Sequence, residues 1–500
     1  MKRSQIVTAV AFAAAISVGA QTASAQQASA LPPAPSAVLA QYAVGPPAGS
    51  SIVFHAASTF AGPGGIAVER ASIHPLSISI DDAIALGLQR NFRLIYDRAN
   101  QRIVKGDLLQ VTSAIVPSLE LRASSNTQEI NLAAMGFKPA SIHIPGFTGN
   151  FPTIVKVDVT QVLLNVNQTL FNVPAYELLR GARDEEQVVN LNTLAGRGAL
   201  VLATGTAYLK VLADQSNLVD AKALERSADT GFFQAKARRD AGVGTNLDAL
   251  RGQVNFQNRL QQRVSAETAL AKDIIQLNRI MGIPAEQQLI LTDTAPFSQL
   301  ADMDLERARS TAFERRKDYL SLLAQIRVAD RERLAIKYQR FPTLAFGGYY
   351  GVIGQTQGLY HGVFNAEGSV KFPIFREAAQ RGENEVISAQ LLALRQRESD
   401  FRVTMEAQIR SSMLDVNSSH ELVKVAQSNV DLAGQELSDE QSRFAAGVDD
   451  NLPLVEAEAS LAGAQAQVVQ ALFQYNVAKL QLARYTGVAE TQYRTYLGIQ

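Results

Sequence analysis

Between Glu377 and Gly487 large apolar residues recur every seven positions. Ile409, Val416, Val423, Val430, Leu437 and Phe444 share one register, and Ser412, Ser419, Ala426 and Ala433 follow the first four at +3. After a turn over Ala446-Gly447-Val448-Asp449-Asp450-Asn451, the register resumes at Leu454, Leu461, Val468, Tyr475 and Leu482, with Ala457, Ala464, Ala471 and Ala478 at +3. Large-then-small at period seven is a coiled-coil seam in which two helices approach closely. The pattern predicts a long helix, a tight turn and a long return helix. Pro453 falls in the first turn of the return, where proline is tolerated. A helix over Glu377–Phe444 would be roughly 100 Å long at about 1.5 Å per residue, a spacer rather than a globular domain.

A second pattern has period two. Ile154-Val155-Lys156-Val157-Asp158-Val159-Thr160 alternates apolar and polar, as a strand with one wet face does. The predicted strand pairs are Ser118–Thr127 with Ile154–Leu170, and Thr343–Val352 with Phe364–Phe372. These pairs belong to an internal duplication. Asp82-Ala83 and Arg90-Asn91 recur as Arg307-Ala308 and Arg315-Arg316, and Pro117 recurs as Pro342, all at an offset of 225. Ala241-Gly242-Val243, Asn246-Leu247 and Gly282-Ile283 recur as Ala446-Gly447-Val448, Asn451-Leu452 and Gly487-Val488 at an offset of 205. The twenty extra residues of the first half are assigned to a surface loop within Glu129–Pro152. Each half reads as helix, strand, loop, strand, very long helix, glycine turn, return helix. The fold class is mainly α with a small β part, built from duplicated strand hairpins and long antiparallel coiled coils. Its expected divisions are a signal peptide (1–25), a Pro/Ala/Gly-rich leader (26–76), a first repeat (77–290), a linker (291–304), a second repeat (305–488) and a C-terminal tail (489–500).

Composition narrows the function classes. Lys2-Arg3, the apolar run Ile6–Ala20 and Ala23-Ser24-Ala25 form a secretory signal, with Gln26 the expected first mature residue and a bacterial envelope the destination. With no cysteine, thiol chemistry, disulfides, Cys-based zinc sites and lipid attachment through Cys are all excluded. Net charge is zero, so no basic field attracts nucleic acid. Four amphipathic strands are too few for a membrane barrel, since the smallest need about eight. Oligomeric closure solves that problem.

Several features together resemble the TolC-type outer-membrane efflux proteins. They are the duplication, the opening Ile78-Ser79-Ile80-Asp81-Asp82-Ala83-Ile84, the post-helical Pro117 and Pro342, Phe171 and Pro373-Ile374-Phe375 before the long helices, and the twin Ala-Gly-Val turns. No single motif is specific; the duplicated order at constant offsets carries the resemblance over Ser77–Gly487. It implies a homotrimer, with a twelve-stranded β-barrel in outer-membrane lipid joined to an α-helical barrel crossing the periplasm. It also implies a periplasmic adaptor and an inner-membrane pump as partners, and passive export of drugs, small molecules or proteins. Gly242, Val243, Asn246 and Leu247, with Gly447, Val448, Asn451 and Leu452, would form the periplasmic tips and meet the adaptor. In the family pattern, acidic residues line the entrance six and nine positions after the tip glycine. Here Asp248 and Glu456 match, Pro453 departs from the pattern, and Asp449 and Asp450 in the turn are candidate substitutes. Rings of such carboxylates would favour cations.

Plainer readings stand beside these. Asp248 and Glu456 lie early in helices, where carboxylates suit the dipole. Gly242 and Gly447 suit left-handed helix ends, and Arg238, Arg239 and Arg443 suit helix C-termini. Asp184-Glu185-Glu186 and Glu456/Glu458 read as helix-surface charges, and His420 as a partly buried packing residue. His55, His74, His143, His361 and His420 show no metal-ligand spacing, and no nucleophile elbow or P-loop occurs, so neither an enzyme nor a cofactor is expected. The alternative function is a periplasmic coiled-coil adaptor or scaffold, which would carry one hairpin flanked by compact β-domains. A secreted surface protein would leave the duplication unexplained.

Overall fold

The computed structural model describes residues 72, 74–134, 136, 153–294, 297–300, 304–446 and 451–499. The expected signal peptide, nearly all of the leader, much of the 129–152 loop and the turn residues Gly447, Val448, Asp449 and Asp450 lie outside the described residues.

The first repeat runs β1 (Leu76–Ile78), α1 (Ile80–Arg90), α2 (Phe92–Ser113), β2 (Ser118–Asn131), β3 (Ile154–Phe171), α3 (Val173–Asp240), α4 (Asn246–Met281) and β4 (Leu289–Leu291). The second runs α5 (Leu305–Arg315), α6 (Lys317–Tyr338), β5 (Thr343–Gly354), β6 (Tyr360–Lys371), α7 (Glu377–Ala445) and α8 (Asn451–Tyr485), followed by α9 (Ala489–Leu497). The long helices α3 and α7 have 68 and 69 residues, each about 100 Å of spacer.

The seven-residue register is the interface it predicts. On α7, Ile409, Val416, Val423 and Phe444 are buried together with Ser412, Ser419, Ala426 and Ala433; facing them on α8, Leu454, Ala457, Ala464, Ala471, Tyr475, Ala478 and Leu482 are buried too. The two serines are tolerated there because their hydroxyls donate to their own helix, Ser412 to the Ile409 carbonyl at 2.9 Å and Ser419 to the Val416 carbonyl at 3.2 Å. The core widens where Tyr208 of α3, Leu277 and Met281 of α4, Tyr475 and Leu480 of α8, Ile84 of α1 and Leu497 of α9 meet.

Three features differ from the sequence reading. The helix preceding each strand pair is broken in two, at Asn91 and at Arg316, positions that the 225-residue offset makes equivalent. Both residues have extended backbone, with ψ 129° and 113°. The cause is a close approach. The return helices end at Gly282 and Gly487 in the left-handed conformation, φ +73° and +79°, and each glycine presses on one break. A Cβ at Gly282 would lie 2.9 Å from the Arg90 carbonyl, and one at Gly487 only 2.7 Å from the Arg316 amide nitrogen. The buried Asn91 side chain donates to the Ile280 carbonyl at 3.1 Å and caps α2 by accepting from Arg93. Arg316, also buried, grips Asp318 and Gln408 while lying over the Phe401 ring at 5.2 Å.

The second difference is a two-stranded parallel sheet. β1 pairs with β4, Leu76 opposite Leu289 and Ile78 opposite Leu291. Tyr208 secures it by donating to Asp293 (2.9 Å) and to the Ile78 carbonyl (3.0 Å). Three-residue strands carry too little pattern to be read from sequence. Third, residues 489–497 form helix α9, whose Tyr493 and Arg494 both bind Asp81 of α1.

Candidate functional site: an amphipathic sheet and the helical tips

β2, β3, β5 and β6 form one antiparallel sheet in the order β2-β3-β5-β6, so β2 and β6 each keep one unpaired edge. Both pairs are longer than expected at their turn ends, with β5 and β6 at 12 residues each. That length suits a tilted membrane strand of about 9–11 residues.

The register sorts side chains by face, because directly opposed residues in an antiparallel pair share a side. Leu119 faces Val166 and Leu121 faces Leu164; Leu164 faces Tyr350 and Val162 faces Val352; Tyr350 faces Phe364 and Leu344 faces Val370. These residues make one continuous apolar face, and Leu119, Leu121, Tyr350, Phe364 and Val370 are among the most exposed apolar side chains of the chain. The opposite face carries Glu120 against Asn165, Asn165 against Tyr349, and Tyr349 against Asn365, with Glu367 and Lys371 farther along β6. An exposed apolar face of this extent opposite a polar one is what a strand between lipid and a wet lumen requires. At the helical end of the sheet come Phe171, Phe341, Phe372, Ile374 and Phe375, the last two 90% and 85% exposed. No helix among the described residues is long and apolar enough to cross a membrane.

Far from the sheet lie the tips. α3 ends at Gly242, whose φ of +75° lets the Val243 and Gly244 amides donate back to the Arg238 carbonyl at 3.0 Å. Val243 projects with 78% of its surface exposed, and Leu247 is exposed beside it. Asn246 opens α4. Asp248 closes a capping box: its Oδ2 accepts from the Thr245 hydroxyl at 2.6 Å and the Thr245 amide at 3.3 Å, while its own amide donates to Thr245 Oγ1 at 3.1 Å. Glu456 is exposed on α8, and Leu452 is exposed near the start of that helix, which begins at Asn451. Asp248 thus has a local structural partner, whereas Glu456 faces solvent. Two ties join the hairpins near the tips. Arg238 donates to the Phe444 carbonyl at 2.9 Å with its guanidinium 4.3 Å over the Phe444 ring. Glu458 accepts from Ser227 of α3 at 2.7 Å and from Asn255 of α4 at 2.9 Å.

Glu458 is therefore not the surface charge that its sequence context suggests; it is buried and bonded to two other helices. Glu185 departs from the same reading, and Glu332, which the sequence does not single out, accompanies it. Glu332 of α6 is 2% exposed, and neither carboxylate oxygen has a hydrogen-bond partner. Burial first, and the charge of Glu185 on α3 second, push its pKa up to about 9. Burial alone pushes Glu185 to about 7. No sequence signal separates these acids from ordinary helix glutamates except their place among Val188, Val328, Ala329 and Ile336, all core residues. His420 packs as expected, stacked on Phe297 (5.7 Å between ring centres) and tilted against Tyr475 (5.3 Å).

Known proteins resemble this chain in sequence and in fold. The family model described as "Outer membrane efflux protein" matches residues 84–283 and 308–488, one segment in each half. The alkaline protease secretion protein AprF of Pseudomonas aeruginosa is 23% identical over 341 residues, covering 65% of this chain and 69% of AprF. Among solved structures, a membrane protein from Pseudomonas aeruginosa has a TM-score of 0.72 at 18% identity, covering 82% of this chain and 93% of that one. The Campylobacter jejuni CmeC outer membrane channel has a TM-score of 0.71 at 13% identity, covering 82% and 86%. At these identities the structural matches speak for the fold.

Proposed function

From the premise that this chain belongs to the outer membrane efflux protein family, whose model spans both of its halves, we propose that it is a passive trimeric export duct. It is the outer-membrane channel of a tripartite efflux or secretion system. The observation that carries the finer reading is the four-stranded sheet with a lipid-suited face and two unpaired edges. In a bilayer an open edge leaves backbone donors and acceptors without partners, which only closure repairs. Three copies contribute twelve strands, and their hairpins continue the barrel as a helical tube through the periplasm. The chain is exported by its signal peptide and held by the barrel without lipidation, and it carries out no chemistry of its own. Adaptor contact falls to the tip residues Gly242, Val243, Asn246 and Leu247 with Gly447, Val448, Asn451 and Leu452, and an inner-membrane pump supplies the energy. A lone adaptor or scaffold has no use for an exposed apolar sheet face.

Light scattering and negative-stain microscopy of the detergent-extracted protein test this. The expected particle holds three copies and is longer than about 100 Å; a monomer or dimer would remove the pore. A second test uses the absence of tryptophan from the chain. In Phe375→Trp the sole indole is expected to emit at short wavelength and to be quenched by lipids brominated near the headgroup, as an aromatic girdle residue is. Water-like emission without quenching would take Phe375 off the bilayer boundary.

At the entrance, Asp248 and Glu456 are the proposed carboxylate rings, with Asp449 and Asp450 as further candidates. Asp248→Asn with Glu456→Gln keeps the capping acceptor at residue 248, so a fall in cation preference in single-channel recordings would report charge alone. An unchanged preference would take both residues out of the pore lining.

A further inference from the structure

The polarity of the two sheet faces exchanges partway along the β2–β3 hairpin. The boundary is the row of Ser125, Thr160 and Gly354, where Thr160 faces both Ser125 and the last residue of β5. Hydroxyls mark it: Ser125 Oγ and Thr160 Oγ1 lie 2.8 Å apart, and Thr160 Oγ1 and Thr356 Oγ1 3.0 Å. Beyond that row β5 and β6 have ended, and β2 and β3 run on as a ribbon through Asn131 and Ile154. Six more residues of β3 make the ribbon roughly 20 Å long at about 3.3 Å each.

On the ribbon the former lipid-side face turns polar, with Thr127 opposite Asp158 and Glu129 opposite Lys156, and ends on Asn131 opposite Ile154. The former lumen-side face turns apolar along β3, with Val159 opposite Asn126, Val157 opposite Gln128 and Val155 opposite Ile130. A slip of one residue would produce such an exchange by geometry, but β2 and β3 pair without interruption from Ser118 to Asn131. The exchange is written in the sequence. A strand still in the bilayer would keep its apolar residues on the side of Leu121 and Leu164, and a strand wholly in water would have no reason to line one side with three valines and an isoleucine.

We propose that Ile130, Val155, Val157 and Val159 form an apolar collar around the pore axis on the far side of the bilayer, made by this ribbon from each copy meeting the same ribbon of the others. The proposal rests on the trimeric barrel reading, which turns the face bearing Glu120, Asn165 and Glu367 toward the lumen. The pore is then polar at its helical end and apolar at its distal end, and an apolar constriction opposes the passage of water and ions. It is a second restriction, separate from the tips.

The chain contains no cysteine, so Val157→Cys carries its only thiol. Oxidation of Val157→Cys in outer-membrane vesicles is expected to give a reducible dimer band, while Lys156→Cys, on the opposite face, gives none. Val157→Asp with Val159→Asp is expected to raise single-channel conductance by at least about twofold by wetting the collar, and the near-isosteric Val157→Thr to raise it less. Light scattering on each variant separates the two readings. Trimers without the Val157→Cys cross-link and with unchanged conductance in both the aspartate and threonine variants would overturn the collar and leave the channel standing. A wild-type protein that is not trimeric would overturn both.

Discussion

Glu332→Gln raises stability at neutral pH and flattens its dependence on pH. In the folded protein Glu332 keeps its proton to about pH 9 against an ordinary 4.5, so near pH 7 the native state binds a proton that the unfolded state has released. Stability linked to this group is therefore complete below the unfolded pKa and declines as pH rises, until it is lost above about 9. Each pH unit in that window costs about 1.4 kcal/mol, so the penalty reaches about 3 kcal/mol at pH 7. Glutamine fills the same space without an ionisable proton. It leaves one buried amide in place of a carboxylic acid, which recovers part of that figure rather than all of it. Glu185, raised from 4.5 to about 7, steepens the decline only between those two values and adds nothing above about pH 7, where it is ionised in both states. Thermal unfolding of the detergent-extracted protein between pH 5 and about 9, at fixed protein concentration because assembly contributes to the midpoint, checks the claim. A variant whose midpoint tracks the wild type at every pH would show that Glu332 is not held protonated.

Gly487→Ala works in the opposite direction. At φ +79° a Cβ costs about 1 kcal/mol through backbone strain alone. Here it would also lie 2.7 Å from the Arg316 amide nitrogen and 2.8 Å from the Arg315 carbonyl carbon, backbone atoms that yield only if the α5–α6 break moves. The expected loss is about 3 kcal/mol, with parallel damage from Gly282→Ala at the equivalent junction. Gly463→Ala is the control. It sits inside α8 with no neighbour within 4 Å of a Cβ, so the same substitution should stabilise by about 0.5–1 kcal/mol through helix propensity. Equal effects at residues 463 and 487 would contradict the close approach of turn and break.

The seam and the duplication were legible because each repeats many times. A register that returns at Ile409, Val416 and Val423, with small residues at +3, leaves one way for two helices to meet. The constant offsets fixed the order of elements, and alternation along Val155–Thr160 located a strand. What stayed hidden depends on single encounters between distant segments. The breaks at Asn91 and Arg316 arise because Gly282 and Gly487 arrive there, and nothing local at either break forbids a continuous helix. Glu332, Glu185 and Glu458 have the sequence context of solvated helix acids; only burial in the folded chain, or bonding to Ser227 and Asn255, distinguishes them. Asp248 was visible as an acid near a tip, and its capping role was readable in Thr245-x-x-Asp248. The strand faces could be assigned only once the register had been set between four segments, two from each half.

The clasp of Tyr493 and Arg494 on Asp81 joins residues more than 400 positions apart, and β1 meets β4 across more than 200. Contacts this remote in sequence form late, because loop closure must precede any gain from them. A polypeptide emerging N-terminus first presents α1 with neither partner until α4 and then α9 have been made. Its lipid-suited strands are complete long before the helical body can lock. Until then the unlocked body and the exposed strand face together invite aggregation; the α1–α9 clasp closes the body of the protomer, while the apolar sheet face stays exposed on the folded chain.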